Sequence, residues 1–172
     1  KGHFVFNGDI FDRGEMVTEI VWHLFMLEKQ AAKAGGMAHV ILGNHESMIF
    51  DADLRYIHEK YKKVETISGM NYNDLFAPNS VLGKWLRSKP VMVTINDILF
   101  VHAGASMELV WQQLSIKEVN KLFYTNIFGQ ISPDSNLNKK IDILTGNDGP
   151  LWYRGYFEDK TFDETKLDSI LN

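Results

Sequence analysis

The chain has 172 residues, 45% of them hydrophobic and 23% charged, with a formal net charge of −4 and no cysteine. That apolar content over this length supports one substantial core, so one domain is the default. The acidic balance excludes a general nucleic-acid binder, which needs a basic stripe, and the missing thiols exclude disulfides and thiolate metal sites.

Any metal must therefore be held by His, Asp, Asn or Glu. No apolar run approaches the ~18–20 residues that span a bilayer, so no membrane segment is expected and a soluble protein is, with cytoplasm and periplasm both open. The opening Lys1-Gly2-His3-Phe4-Val5-Phe6-Asn7 is too short and too polar for a signal peptide. It reads as the entry into a core strand, with further sequence expected upstream.

In chain order, residues 3–7 form a first strand, followed by the Gly-rich loop Gly8-Asp9-Ile10-Phe11-Asp12-Arg13-Gly14. From Glu15 to Lys33 the apolar residues Val17, Ile20, Val21, Leu24, Met26 and Leu27 fall near a helical period, and Gly35-Gly36 stops the run. A second strand at 38–42 follows at once. Strand, helix, strand with short connections is a βαβ unit, which makes the two strands parallel with their C-terminal ends side by side. Residues 47–89 read as mostly helical, with amphipathic pieces at Leu54–Tyr61 and Val81–Leu86. Val91–Ile95 and Ile98–Val101 then form a hairpin about the turn Asn96-Asp97. Ser115 to Phe128 is a helix opened by a Ser-x-x-Glu capping box, Ser115 to Glu118. Residues 129–150, rich in Gly, Ser, Asn, Asp and Pro, read as a long loop with at most a helical turn. A last helix begins near Asp163.

Polar groups gather where three of these strands end. Asp9 follows the first strand directly, and one carboxylate oxygen can bridge two divalent cations ~3.5–4 Å apart. Arg13 offers a planar fork suited to two phosphate oxygens. Gly43-Asn44-His45-Glu46 follows the second strand. The Asn44 carbonyl binds a hard cation without cancelling the positive charge that a phosphate dianion needs. His45 beside it faces the reacting group, and a carboxylate in contact, assigned to Asp12, favours imidazolium and lets it protonate a leaving oxygen. Glu46 reads as a brace or a helix N-terminal charge. His102 ends the strand at 98–101, with Ala103-Gly104 clearing space. His3, His23, His39 and His58 read as solvated or packing residues. In Gly149-Pro150-Leu151-Trp152-Tyr153-Arg154-Gly155-Tyr156, Arg154 either enters a cleft or sits in solvent beside a packed aromatic loop.

Taken together, Gly8–Gly14, Gly43–Glu46 and His102–Gly104 resemble the GDxxDRG, GNHE and HAG signature of the calcineurin-like metallophosphoesterases, phosphoprotein phosphatase branch. The stretch Pro150–Tyr156 is similar to a segment of the bacterial, Shewanella-like subgroup. The resemblance implies an α/β fold, a mixed β-sandwich flanked by helices, and a metal-dependent phosphomonoester hydrolase with a dimetal-bound hydroxide. By the same resemblance Asp9, Asn44 and His102 bind metal and His45 is the general acid with Asp12 as partner. Arg13 and Arg154 hold the phosphate, which Asn44 also faces. Two divalent ions are implied, Mn2+ first with Fe or Zn2+ as alternatives, and a phosphoprotein or small phosphoester as substrate. The family's upstream Asp-x-His and final Gly-His motifs do not occur in this chain, which is expected to be the central portion of such a domain over residues 1–172. Two other functions share the pattern: a non-catalytic phosphate-binding scaffold, and a nucleotide or dinucleoside polyphosphate hydrolase.

Overall fold

A computed structural model describes residues 2–127 and 134–171. The chain divides into two compact units, one running to Pro90 and the other starting at Val91.

In the first unit, β1 (His3–Asn7) and β2 (Met37–Ile41) pair in parallel, with His3 opposite Met37 and Asn7 opposite Ile41. Between them runs α1 (Val17–Lys33), which buries Val17, Val21 and Leu24, the i, i+4, i+7 stripe of its sequence. The helix starts at Val17, the first residue of its apolar period and two residues after Glu15, because its N-terminus is capped from a distance. The Tyr61 hydroxyl donates to the Glu15 carbonyl and accepts from Thr18 N–H. Glu15 is thereby held outside the helix. At the other end Gly35 takes φ 77 and ends the helix.

After β2 come α2 (Asn44–Phe50), α3 (Glu59–Ser68), a 3₁₀ turn at Tyr72–Phe76 and α4 (Val81–Arg87). The helix expected from Leu54 begins only at Glu59. His58 stops it from starting earlier: its extended backbone makes it the N-cap, and its ring accepts from Lys60 N–H. His58 is thus a cap rather than a residue of the helix face. The remaining apolar members of the 54–61 stretch serve the core without a helix, Ile57 buried and Leu54 packed against it. That core gathers Ile10, Phe11, Val40, Ile49, Phe76 and Leu86 with the buried face of α1.

In the second unit, β3 (Met92–Ile95) and β4 (Ile98–Val101) form the expected antiparallel hairpin. Asn96 and Asp97 both have positive φ, 50 and 63, the type I′ geometry whose twist matches that of the strands. Among the described residues five helices follow: α5 (Met107–Trp111), α6 (Ile116–Ile127), α7 (Ser135–Thr145), α8 (Gly155–Glu158) and α9 (Glu164–Leu171). The Ser115–Glu118 box caps α6 reciprocally, Glu118 Oε2 accepting from Ser115 N–H and Ser115 Oγ from Glu118 N–H. Phe128, the expected end of that helix, and residues 129–133 lie outside the described residues.

The long loop expected over 129–150 is corrected by α7, which takes 11 of its residues. Its polar composition conceals the helix. Asp134 caps it through Asn136 N–H, and Ile141 and Leu144, three residues apart, supply the buried face. Among the described residues no helix is long and apolar enough to cross a membrane.

Candidate active site

The loop after β1 is bent hard. Gly8, Asp9, Asp12 and Arg13 all take positive φ, between 58 and 84. Each non-glycine residue held there costs about 1–2 kcal/mol, so the surroundings must impose the shape. Glu46 does so. Its carboxylate, with no exposed surface, accepts from Asp9 N–H at 2.9 Å, Ile10 N–H at 2.7 Å and Gly43 N–H at 2.6 Å. One side chain thereby ties the loop after β1 to the turn after β2, and the expected brace is observed. Burial pushes the Glu46 carboxyl above its ordinary range, while the three N–H donors pull it back.

The two turns meet closely. A Cβ added to Gly43 would lie 2.6 Å from both Asp9 N and Asp9 Oδ1, so only glycine fits there. His45 N–H points at Asp9 Oδ1 from 3.4 Å. The Asp9 carboxylate therefore sits over the start of α2, where Asn44 is the first residue.

Asp12, Arg13 and His45 form one connected group. His45 Nδ1 and Asp12 Oδ2 are 2.5 Å apart, and both residues are buried. Arg13 Nη2 lies 3.0 Å from His45 Nε2. A guanidinium only donates, so Nε2 accepts and the imidazole proton is on Nδ1, directed at Asp12. Asp12 Oδ1 is buried and has no hydrogen-bond partner among the described residues. Tyr56, which sequence reasoning passed over, supports both neighbours. Its carbonyl accepts Arg13 N–H at 2.8 Å, and its ring meets that of His45 edge-on at 5.8 Å. No signal in the sequence singles it out from the other tyrosines.

His102 and Arg154 belong to the second unit. His102 follows β4 directly, as its position after the apolar run predicts. Arg154 is half-buried, donates to the Tyr153 carbonyl at 3.1 Å, and lines a cavity of about 640 Å3 with Asp148, Trp152 and Glu158. Of the histidines given no role, His3 and His39 stack at 5.3 Å, with His3 Nδ1 3.0 Å from His39 Nε2. Among the described residues no three His, Asp or Glu side chains are grouped to hold a metal ion. The Asp9 carboxylate and the Asn44 side chain are hard oxygen donors of the kind that hold a divalent cation, and the turns that carry them are in contact.

A sequence profile of the calcineurin-like phosphoesterases matches residues 2–171. The chain belongs to this family. Family membership implies a dimetal centre. Over 151 residues the chain is 33% identical to Shewanella-like protein phosphatase 1 of Plasmodium berghei, an alignment covering 85% of this chain and 40% of that protein. Over 53 residues it is 40% identical to Shewanella-like protein phosphatase 2 of Arabidopsis thaliana, covering 31% of this chain and 14% of that protein. The cold-active protein-tyrosine phosphatase of a psychrophilic Shewanella species superposes with a TM-score of 0.87 at 42% identity, over 99% of this chain and 51% of that one. Another structure of a cold-active protein tyrosine phosphatase gives the same TM-score at 41% identity. The chain thus spans about half, or less, of the length of the relatives it matches. The mixed α/β fold of this chain is that of its structural neighbours, and two of its relatives carry the Shewanella-like name that Pro150–Tyr156 suggested.

Proposed function

We propose that the full-length protein is a metal-dependent phosphomonoester hydrolase acting on phosphoproteins. The observation that carries this reading is the buried Asp12–His45 pair, with Arg13 on its far nitrogen, beside the contact between the Asp9 and Asn44 turns. The names of the structural neighbours put phosphotyrosine first among the substrates to assay. Asp9, Asn44 and His102 are the metal ligands this chain contributes, with Mn2+ the first candidate. A bound metal pair supplies a hydroxide nucleophile and offsets the charge of the phosphoryl group.

The remaining chemistry belongs to side chains. Arg13 and Arg154 bind the phosphate oxygens, and Asn44 faces the same group. In the resting geometry Arg13 occupies His45 Nε2, the nitrogen that has to protonate the leaving oxygen. A phosphate dianion is a stronger acceptor than a neutral imidazole, so substrate draws the guanidinium onto itself and frees Nε2. Asp12 stays on Nδ1 and orients the ring, so that the freed Nε2 takes up a proton from solvent and passes that proton to the leaving oxygen.

The test is hydrolysis of an aryl phosphate, phosphotyrosine peptide and phosphoserine peptide by the full-length protein, with and without Mn2+. Chelator should abolish turnover. His45→Ala and Asp12→Asn should each lower kcat about 10²–10⁴-fold with folding retained. Activity that ignores chelator, or survives both substitutions, removes the reading.

A further inference from the structure

We infer that Tyr156 is a positioning residue for His102, acting as a clamp on the backbone of the turn that follows it. The inference rests on the metal-ligand reading of His102 proposed above.

The segment His102-Ala103-Gly104-Ala105-Ser106 leaves β4 without regular structure, so its backbone groups need partners from elsewhere. Residues 148–156 supply several of the contacts that hold this segment. Ala103 N–H donates to the Pro150 carbonyl at 3.0 Å, and Ser106 Oγ donates to the Asp148 carbonyl at 2.7 Å. Between these, a single phenol serves both backbone groups of one residue. Tyr156 Oη accepts from Ala105 N–H at 3.0 Å and donates to the Ala105 carbonyl at 2.9 Å. It does for Ala105 what a neighbouring strand would do.

The clamp is itself held. The Tyr156 ring meets Tyr153 at 5.1 Å and Phe162 at 4.9 Å, both edge-on. The turn lies flat on two of these rings. A Cβ added to Gly104 would fall 2.8 Å from Tyr156 Cε2 and 2.9 Å from Tyr153 Cδ1. The glycine of the His-Ala-Gly motif is therefore needed for the approach of the turn to this aromatic floor. The same contact explains why the motif at 150–156 carries tyrosines on both sides of Arg154.

A metal ligand on an irregular turn holds its coordination distance only if the turn is fixed. Metal–ligand lengths tolerate about ±0.2 Å, and loss of a group that supports a ligand typically costs about 10–100-fold in metal affinity. Tyr156→Phe keeps the ring and removes both hydrogen bonds to Ala105. It should weaken one Mn2+ site about tenfold. Tyr153→Phe removes a hydroxyl that makes none of these bonds.

The experiment is Mn2+ titration of the full-length protein, followed by the electron paramagnetic resonance of free Mn2+, for wild type, His102→Ala, Tyr156→Phe, Tyr153→Phe and Gly104→Ala. A parallel series measures kcat against Mn2+ concentration. Expected are loss of one site in His102→Ala, about tenfold weakening of that same site in Tyr156→Phe, and wild-type affinity in Tyr153→Phe. Saturating Mn2+ should restore kcat in Tyr156→Phe, which a residue that merely supports folding would not show. Gly104→Ala lifts the turn off the rings with the hydroxyl intact. It should weaken the same site, and it decides the matter if Tyr156→Phe fails to fold. Wild-type Mn2+ binding by Tyr156→Phe, alongside loss of a site in His102→Ala, overturns the clamp alone. Wild-type binding by His102→Ala overturns the ligand reading, and the clamp with it.

Discussion

Glu46→Gln tests the brace beneath the site with the smallest change of shape. In the native protein Glu46 Oε2 accepts from Asp9 N–H and Gly43 N–H, and Oε1 from Ile10 N–H. Glutamine has one acceptor oxygen. Placed where Oε2 lies it keeps two bonds and turns its NH2 toward the Ile10 N–H, leaving a buried donor facing a donor. Loss of one hydrogen bond to a charged acceptor costs about 1.5–3 kcal/mol, and the unsatisfied Ile10 N–H belongs to the upper part of that range. A loss of about 3 kcal/mol lowers Tm by roughly 6–12 °C for a chain of this size. Guanidinium and thermal unfolding followed by circular dichroism measure both quantities. Burial of the carboxyl works the other way and favours the protonated acid. Glutamine mimics that acid in shape and charge, so it would then cost almost nothing. Unfolding of Glu46→Gln within about 0.5 kcal/mol of wild type would refute the ionised brace.

Further predictions follow from the same geometry. Gly43→Ala drives a Cβ against the Asp9 turn. It should cost about 1–3 kcal/mol in denaturant unfolding and weaken Mn2+ binding in the same titration. Arg13→Ala should raise KM for aryl phosphate more than it lowers kcat, because the guanidinium binds phosphate while His45 remains the acid; an unchanged KM would count against it. Asp97→Gly should be at least as stable as wild type, whereas Asp97→Ala should lose about 1 kcal/mol, since this turn position has φ 63. Glu19 is held down to about 2, first by its hydrogen bond from Lys60 and then by Thr18. A folded value below the ordinary one means that its contribution to stability is present above pH 4.5 and is lost as pH falls toward 2. Carboxyl NMR should show this midpoint, and Lys60→Met should return it toward 4.5.

Much of the fold was legible because short-range rules were enough. Strand, Gly-rich loop, amphipathic helix and strand within the first 42 residues can close in only one favoured way, and β1 and β2 do pair in parallel. Asn96-Asp97 between two apolar runs is a hairpin for backbone reasons alone. The misses have the opposite character. His58 cuts the helix short by accepting from Lys60 N–H, a choice between two local hydrogen-bonding patterns that the period of Leu54–Tyr61 does not reveal. At α7 a polar composition hid a helix whose burial at Ile141 and Leu144 exists only once neighbours pack on it.

At the site, chain order alone put Asp9, Asn44, His45 and His102 at strand ends, because side chains that follow a strand project from the sheet. It also assigned Asp12 to His45, and Glu46 to bracing. Only the tertiary structure placed Arg13 on the second nitrogen of His45, the Tyr56 carbonyl behind Arg13, and the Tyr156 phenol on both backbone groups of Ala105. Those contacts join residues tens of positions apart. They depend on distances of a few tenths of an ångström, which packing sets and the order of residues does not.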